Sequence, residues 1–268
     1  MTAVDLQPGA PTPAQQKIAK SSGGGIVGAL KANYDLLVAP VIVVIGLIVM
    51  VVYVSSQTLD TIEARALEPS NVFGQLGQHL LLTLYSTVLV LIIAVPVGIL
   101  LSRPKARRIQ GFVLALGGFA QALPPFGVLL LLGFWEFGVR SAVIGLTLAA
   151  LLPVLRNTVV GLQQVDQSLI EAARGMGMSS RQTLFSVEIP LAVPVIVAGL
   201  RVALVLNVGT ATLATYIGAG GLGELVQQAL RLNRINLLFV SGAIIAALAL
   251  LIDWLAGVAE RAIVARSG

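Results

Sequence analysis

The sequence predicts an all-α membrane protein with six transmembrane helices, and three observations support that class. The chain of 268 residues is 57% hydrophobic and 11% charged, against about 45–50% apolar and about 25% charged in an average soluble domain. Its apolar residues gather into runs of about 20, the length at which a helix rising 1.5 Å per residue crosses a bilayer. The runs do not alternate apolar with polar, as barrel strands would. A backbone inside lipid must satisfy its own hydrogen bonds, so such runs are helices.

Residues 1–35 are polar and carry Pro8, Pro11, Pro13 and the run Ser21-Ser22-Gly23-Gly24-Gly25. They read as a flexible tail with room for a short amphipathic piece. The first apolar run starts too late for a removable signal and lacks a small-residue cleavage site. Residues 36–74 are expected to hold the first span, Leu36 to about Ser55, and the loop after it. The second span is Leu80 to Ser102 and is uncharged. The third lies between Arg108 and Glu136 and is interrupted by Pro124 and Pro125. The fourth runs from Phe137 to about Val160, the fifth from Pro190 to about Thr210, and the sixth from Ile235 to about Val258. Residues 263–268 form a short tail. No internal repeat is visible.

Loop charges predict the orientation. Lys17, Lys20 and Lys31 lie before the first span, and Arg103, Lys105, Arg107 and Arg108 after the second. Arg156, Arg174 and Arg181 lie around the loop after the fourth, and Arg261 and Arg266 after the sixth. The intervening loops hold only Arg65, Arg140, Arg231 and Arg234. This asymmetry places the N-terminus in the cytoplasm. The net charge of +5 is explained in the same way. No basic patch interleaved with aromatics points to nucleic acid. Residues 208–234, Gly-rich and moderately apolar, suit a re-entrant segment, which needs protein or a water-filled cavity around it.

Several chemistries are excluded or weakened. No cysteine is present, so there is no disulfide, thiol nucleophile or Cys-ligated metal. The lone histidine, His79, leaves little for a metal site. Gly218-Ala219-Gly220-Gly221-Leu222-Gly223 fits G-x-G-x-x-G, but no βαβ unit surrounds it. A tight turn or a close backbone approach explains Gly218, Gly220, Gly221 and Gly223 better, and they are candidates for an outer gate. No P-loop and no catalytic constellation appears. The expectation is a chain without catalytic residues, metal or cofactor.

Residues 161–190 are the most informative. Asp166 and Ser168 are candidate N-caps, Ser168 having capping-box spacing to Glu171. Leu169, Ala172, Ala173 and Met176 recur at helical spacing and make one apolar face. Gly177 stops that helix. Ser179 restarts one, with Gln182 at the box position, and Pro190 opens the next span. A short amphipathic helix of this kind packs on its own protein, lies on lipid, or docks in a partner's groove. The pattern leaves self-packing and docking equally open.

Glu171-Ala172-Ala173-Arg174-Gly175-Met176-Gly177, followed after nine residues by Val187-Glu188-Ile189-Pro190, resembles the EAA motif of binding-protein-dependent ABC importer permeases. The departures are Val187 for Ile and Ile189 for Leu. The resemblance covers about residues 75–265. Pro153-Val154-Leu155-Arg156-Asn157-Thr158 and Thr215-Tyr216-Ile217-Gly218-Ala219-Gly220-Gly221-Leu222-Gly223 look like the osmoprotectant branch, whose solutes are glycine betaine, choline, carnitine and proline betaine. The resemblance implies a type I importer domain over 75–262, a five-helix core preceded by one extra helix. It implies a coupling loop at 161–190, in which Glu171, Ala172, Ala173, Gly175, Gly177 and Pro190 meet an ATPase subunit. Glu171 either caps the helix or pairs with a basic residue of that partner. ATP and Mg would sit on two separate ATPase subunits. The other expected partners are a second permease, identical or related, and a separate extracytoplasmic binding protein. The setting is the plasma membrane of a bacterium. An ion-coupled secondary transporter, or an ABC permease for an amino acid or other small polar solute, is the competing reading.

Candidate pathway residues follow from polarity within spans. Gln121, Pro124 and Pro125 mark a kink in the third span. Asn207, Thr210, Thr215 and Tyr216 supply polar groups in the fifth span and its exit, where helix–helix hydrogen bonding is an equal alternative. Arg201, a charge inside the fifth span, either lines the path or, as favoured, pairs with an acid or a carbonyl. Phe134, Trp135 and Phe137 suit an interfacial aromatic belt better than a cation–π cage.

Overall fold

The computed structural model describes the backbone of residues 25–267 and the side chains of residues 37–265. Of the tail expected over residues 1–35, residues 1–24 lie outside the described residues. The elements in order are α1 (Gly25–Ser56), α2 (Thr61–Ala66), α3 (Pro69–Leu101), a 3₁₀ turn (Pro104–Ala106), α4 (Arg107–Ala122) and α5 (Pro125–Trp135). Then come α6 (Val139–Gln163), α7 (Gln167–Gly175), α8 (Ser180–Thr183), a π turn (Leu184–Glu188) and α9 (Ile189–Ala211). A second 3₁₀ turn (Thr212–Ile217), α10 (Gly223–Arg231) and α11 (Ile235–Ser267) complete the chain. Among the described residues there is no strand, as the sequence predicts. The first helix begins at Gly25, inside the segment expected as tail, and the last continues nine residues beyond Val258.

Five stretches are each long and apolar enough to cross a membrane: Leu37–Ser56 of α1, α3, α6, the unit Ser180–Ile217, and Ile235–Ala265 of α11. The pair α4 and α5, bent by 89°, is together long and apolar enough for a sixth. The sequence predicts a kink there, and the structure has a full break. Leu123 and Pro124 each precede a proline, and both adopt extended backbone with ψ of 137° and 120°. The ring of the following proline disfavours the helical region for the residue before it. Two such residues in succession end α4, and Pro125 then opens α5, where a missing N–H matters least.

The core is the packing of α3, α6 and α9. Val90 and Ala94 of α3 meet Ala150, Val154 and Leu155 of α6 and Ala203 of α9, all buried. In lipid there is no hydrophobic drive between helices, so small residues that permit close approach decide the pairing. A second cluster joins Leu82, Leu129 and Leu146 to Ala211, Ala214 and Ile217. A third joins Ala66 of α2 to Leu222, Leu225 and Ala229 around α10 and to Leu237 of α11. By contrast α1 is peripheral, with 6% of its apolar stretch buried. It leans on α11 through Tyr53, whose hydroxyl donates to Asn236 Oδ1 at 2.9 Å and whose ring meets Phe239 edge-on.

Between α9 and α11 the chain does not cross. At nine residues, α10 is only about 13 Å long. Its flanks are covered by protein, Ala214, Ile217, Leu222 and Leu225 being fully buried. That cover meets the condition under which non-spanning backbone is tolerated within a membrane protein.

Arg201 of α9 faces α11. Its Nε and Nη2 donate to the two carboxylate oxygens of Asp253 at 2.7 and 2.8 Å, and Nη1 donates to Glu260 at 3.3 Å. Gly257 lies between the two acids, and a Cβ there would sit 3.0 Å from the guanidinium. The acids are one turn above and below this gap, so α11 forms a fitted seat for one arginine. Asp253→Asn should lower stability by about 1–2 kcal/mol, since the pair is charge-assisted yet over a third exposed. Glu260→Gln, at the longer bond, should do less. Thermal midpoints of the two purified variants check the order.

Candidate functional site

The loop between α6 and α9 is built from two capped helical pieces. Asp166 caps α7 by accepting from the Ser168 N–H at 2.8 Å, so it, and not Ser168, takes the cap. That same N–H, together with the Ser168 hydroxyl, holds the Asp166 carboxyl below its ordinary range. The cap is therefore complete at neutral pH and is lost only as pH falls through that lowered value. At the other end the Gly177 N–H donates to Arg174 O and the Met178 N–H to Ala173 O. Gly177 has φ of +85°, a left-handed conformation that penalises any side chain. Ser179 and Gln182 then form a reciprocal capping box that starts α8, as their spacing predicts.

The apolar face read from the sequence divides in two. Ala173 is buried with Ile170, while Leu169 and Met176 are exposed at 47% and 78%. Ala172 and Glu171 are also exposed, and Gln167 Nε2 reaches Glu171 Oε1 at 3.5 Å. Farther on, Phe185 is exposed with Arg181 stacked 6.0 Å from its ring centroid. The loop thus presents Leu169, Met176 and Phe185 outward, and its far end is fixed to the spans.

That fixing depends on a residue that sequence reasoning passed over. Glu188 closes the π turn and is 3% exposed. Both of its carboxylate oxygens accept from Arg103, Nη2 at 2.5 Å and Nη1 at 3.2 Å. Arg103 also donates from Nε to Ile99 O and Ser102 Oγ. The far end of α3 is thereby fastened to the start of α9 through one bidentate pair.

The candidate pathway residues fall into separate places. Gln121, Pro125 and Thr210 line one cavity of about 160 Å³ beside the broken span, with Gly145, Leu148 and Leu206 as its walls. Pro124 caps α5 next to it. Tyr216 meets Phe126 edge-on, with ring centroids 5.1 Å apart. Asn207 is fully buried and donates to Thr87 Oγ1 at 3.1 Å, leaving its own oxygen without a partner. Thr215 donates to Glu224 at 2.5 Å. Arg201 belongs to the α9–α11 seat and lines a different cavity.

The glycines after the 3₁₀ turn lie against α3. Gly218, Gly220 and Gly221 all have positive φ. The Gly221 N–H donates to Gln78 Oε1 at 3.1 Å, and a Cβ on Gly220 would collide with that same oxygen. The neighbouring His79 is fully buried, and its Nε2 pairs with Val208 O at 3.0 Å. Gln78 and His79 therefore hold the glycine turn and the end of α9 from one turn of α3. Neither carries a sequence signal beyond being polar at the edge of an apolar run.

Residues 94–265 match the family described as binding-protein-dependent transport system inner membrane component. The chain is 40% identical to the carnitine transport permease protein OpuCB of Listeria monocytogenes over 191 residues, 71% of this chain and 87% of that one. It is 39% identical to the osmoprotectant import permease protein OsmY of Salmonella typhimurium, over 79% of this chain and 89% of that one. It is 35% identical to the glycine betaine/carnitine/choline transport system permease protein OpuCD of Bacillus subtilis, over 72% and 84%. In three dimensions it resembles a chain of the inward-facing MetNI methionine ABC transporter, with a TM-score of 0.65 and 24% identity over 72% of this chain and 95% of that one.

Proposed function

From the premise that the chain belongs to the family of binding-protein-dependent transport system inner membrane components, we propose that it forms the path of an ATP-driven importer for quaternary-ammonium compatible solutes. The relatives named for carnitine, for choline with glycine betaine, and for osmoprotectants support that solute class. The observation that carries the coupling part is the loop at 166–190. It stands off the spans on two capped helices, shows Leu169, Met176 and Phe185 outward, and is pinned behind by Glu188 and Arg103. Exposed large apolar side chains on a rigid short helix suit a groove in a partner. That partner is an ATPase subunit carrying ATP and Mg, which puts the loop and the N-terminus in the cytoplasm. Two permeases, alike or related, enclose the path, and a separate binding protein delivers solute to the opposite face.

The cavity beside the broken span fits the solute class. A quaternary ammonium has no N–H to donate and gains most from aromatic faces and apolar walls. Leu148, Leu206 and Pro125 supply the walls, and Gln121 and Thr210 the polar contacts. The Phe126 and Tyr216 rings pack together next to Pro125.

The test joins loop and solute. Gly177→Ala should strain the loop by about 1–2 kcal/mol, and Glu171→Ala should remove a carboxylate from the exposed surface of α7. Each is expected to weaken ATPase co-purification about tenfold and to lower uptake with it. ATPase turnover should rise with carnitine, choline or glycine betaine plus binding protein, and not with methionine. Unchanged association and uptake in both variants would refute the coupling assignment. Stimulation by methionine alone would refute the solute class.

A further inference from the structure

A cavity of about 600 Å³ lies behind α7, on the side away from the exposed Leu169 and Met176. Its lining comes from five places: Ser102 and Arg103 just after α3, the start of α4 at Arg107, the end of α6 at Gln163, α7 at Ile170 and Arg174, and the π turn at Glu188. Three arginines line it, and one acid, Glu188. Arg103 is committed to Glu188 through both nitrogens of its fork. Arg107 and Arg174 have no acid partner among the described residues. Two arginines without an acid partner therefore line one volume.

Two guanidinium groups of this kind repel a cation and give a neutral solute no reason to bind. They match an oxyanion with several acceptor oxygens, phosphate above all, because the planar fork offers paired donors. The location narrows the source. The cavity sits where α3 and α6 end. Leu162, Val165 and Ile170 add apolar wall beside the arginines. Basic pockets between membrane helices on the cytoplasmic side are sites for acidic lipid headgroups.

We propose that this cavity seats the phosphate of an anionic phospholipid headgroup, held between Arg107 of α4 and Arg174 of α7. The lipid would then tie the first half of the broken span to the helix that meets the ATPase. The proposal rests on the cytoplasmic placement of this loop given under the proposed function.

The experiment uses the permease purified with its ATPase, in nanodiscs of phosphatidylcholine with or without phosphatidylglycerol. Lipid retained after a detergent wash is measured by mass spectrometry. Wild type should keep phosphatidylglycerol in preference to phosphatidylcholine. The double variant R107Q/R174Q should lose apparent affinity by about 30-fold, at roughly fivefold per arginine. The variant K105Q/R108Q removes two charges from the same stretch but outside the cavity lining, and should lose much less. Retention unchanged in R107Q/R174Q, or equal losses in the two double variants, would overturn the proposal. So would saturable binding of inorganic phosphate by the delipidated complex that phosphatidylglycerol does not displace, which would make the ligand a free ion. ATPase co-purification is scored in the same samples. Its absence with phosphatidylglycerol still retained refutes the proposed function and leaves the lipid site standing.

Discussion

Replacing Gly223 with alanine is expected to abolish solute uptake while leaving ATPase association intact. A Cβ at this position would overlap the backbone oxygen of Thr212 and lie 2.9 Å from the Thr215 side chain. Overpacking commonly costs about 1–3 kcal/mol, and more where the obstacle cannot rotate away. A main-chain carbonyl is such an obstacle. Gly223 opens α10, and the next residue, Glu224, accepts from Thr215. Relief of the clash must therefore displace the 3₁₀ turn or α10 and break that bond. The loop at 166–190 shares no residue with this region, so its docking should survive. Gly209→Ala serves as the control, because nothing lies within 4 Å of where its added methyl group would sit. Uptake by Gly223→Ala in proteoliposomes within twofold of wild type would contradict the close approach.

Arg103→Ala is the second large effect. It leaves the Glu188 carboxylate buried with no cation. Breaking one side of a buried pair costs about 3–5 kcal/mol, and the lower end applies here because the Arg103 side chain is 34% exposed. The thermal midpoint of the purified complex should fall, and transport should fall further than the midpoint alone explains, since α3 and the start of α9 are no longer fastened. Glu188→Gln keeps one accepting oxygen for the guanidinium and loses the second bond, but it leaves no buried charge and should cost less. The exchange R103E/E188R should recover part of the loss. A midpoint for Arg103→Ala equal to wild type would show that the pair contributes nothing.

Much of the architecture is legible in the sequence because hydropathy over 20 residues is a strong local signal. Pro124 and Pro125 mark the break, and Ser179, Gln182 and Gly177 mark the loop, because backbone chemistry at prolines, caps and positive φ is also local. Three things are less legible. The break is 89° where the sequence predicts a kink, because two consecutive pre-proline restrictions compound. The apolar periodicity of α7 runs through Leu169 and Met176, yet Ile170 and Ala173 face inward. On a nine-residue helix both stripes are apolar, and only the neighbours decide which is covered. The contacts of Arg103 with Glu188, and of Gln78 with Gly221, join residues 85 and 143 positions apart, a separation no periodicity reports. In the sequence Arg103 is one more positive loop charge, and Glu188 is only a variable position within the motif.

The π turn at Leu184–Glu188 has a consequence for how force would pass along the chain. A helical turn widened by one residue sets the azimuth of everything after it back by about 100° relative to an unbroken α-helix. The face that α9 offers to α6 is therefore out of phase with the one that α8 would dictate, and Glu188, which meets Arg103, is the last residue of that turn. Rewinding the turn to ordinary pitch would swing α9 about its own axis without bending it. Loop and transmembrane wall are in this sense geared together, so that a small change of winding at one becomes a change of exposed face at the other.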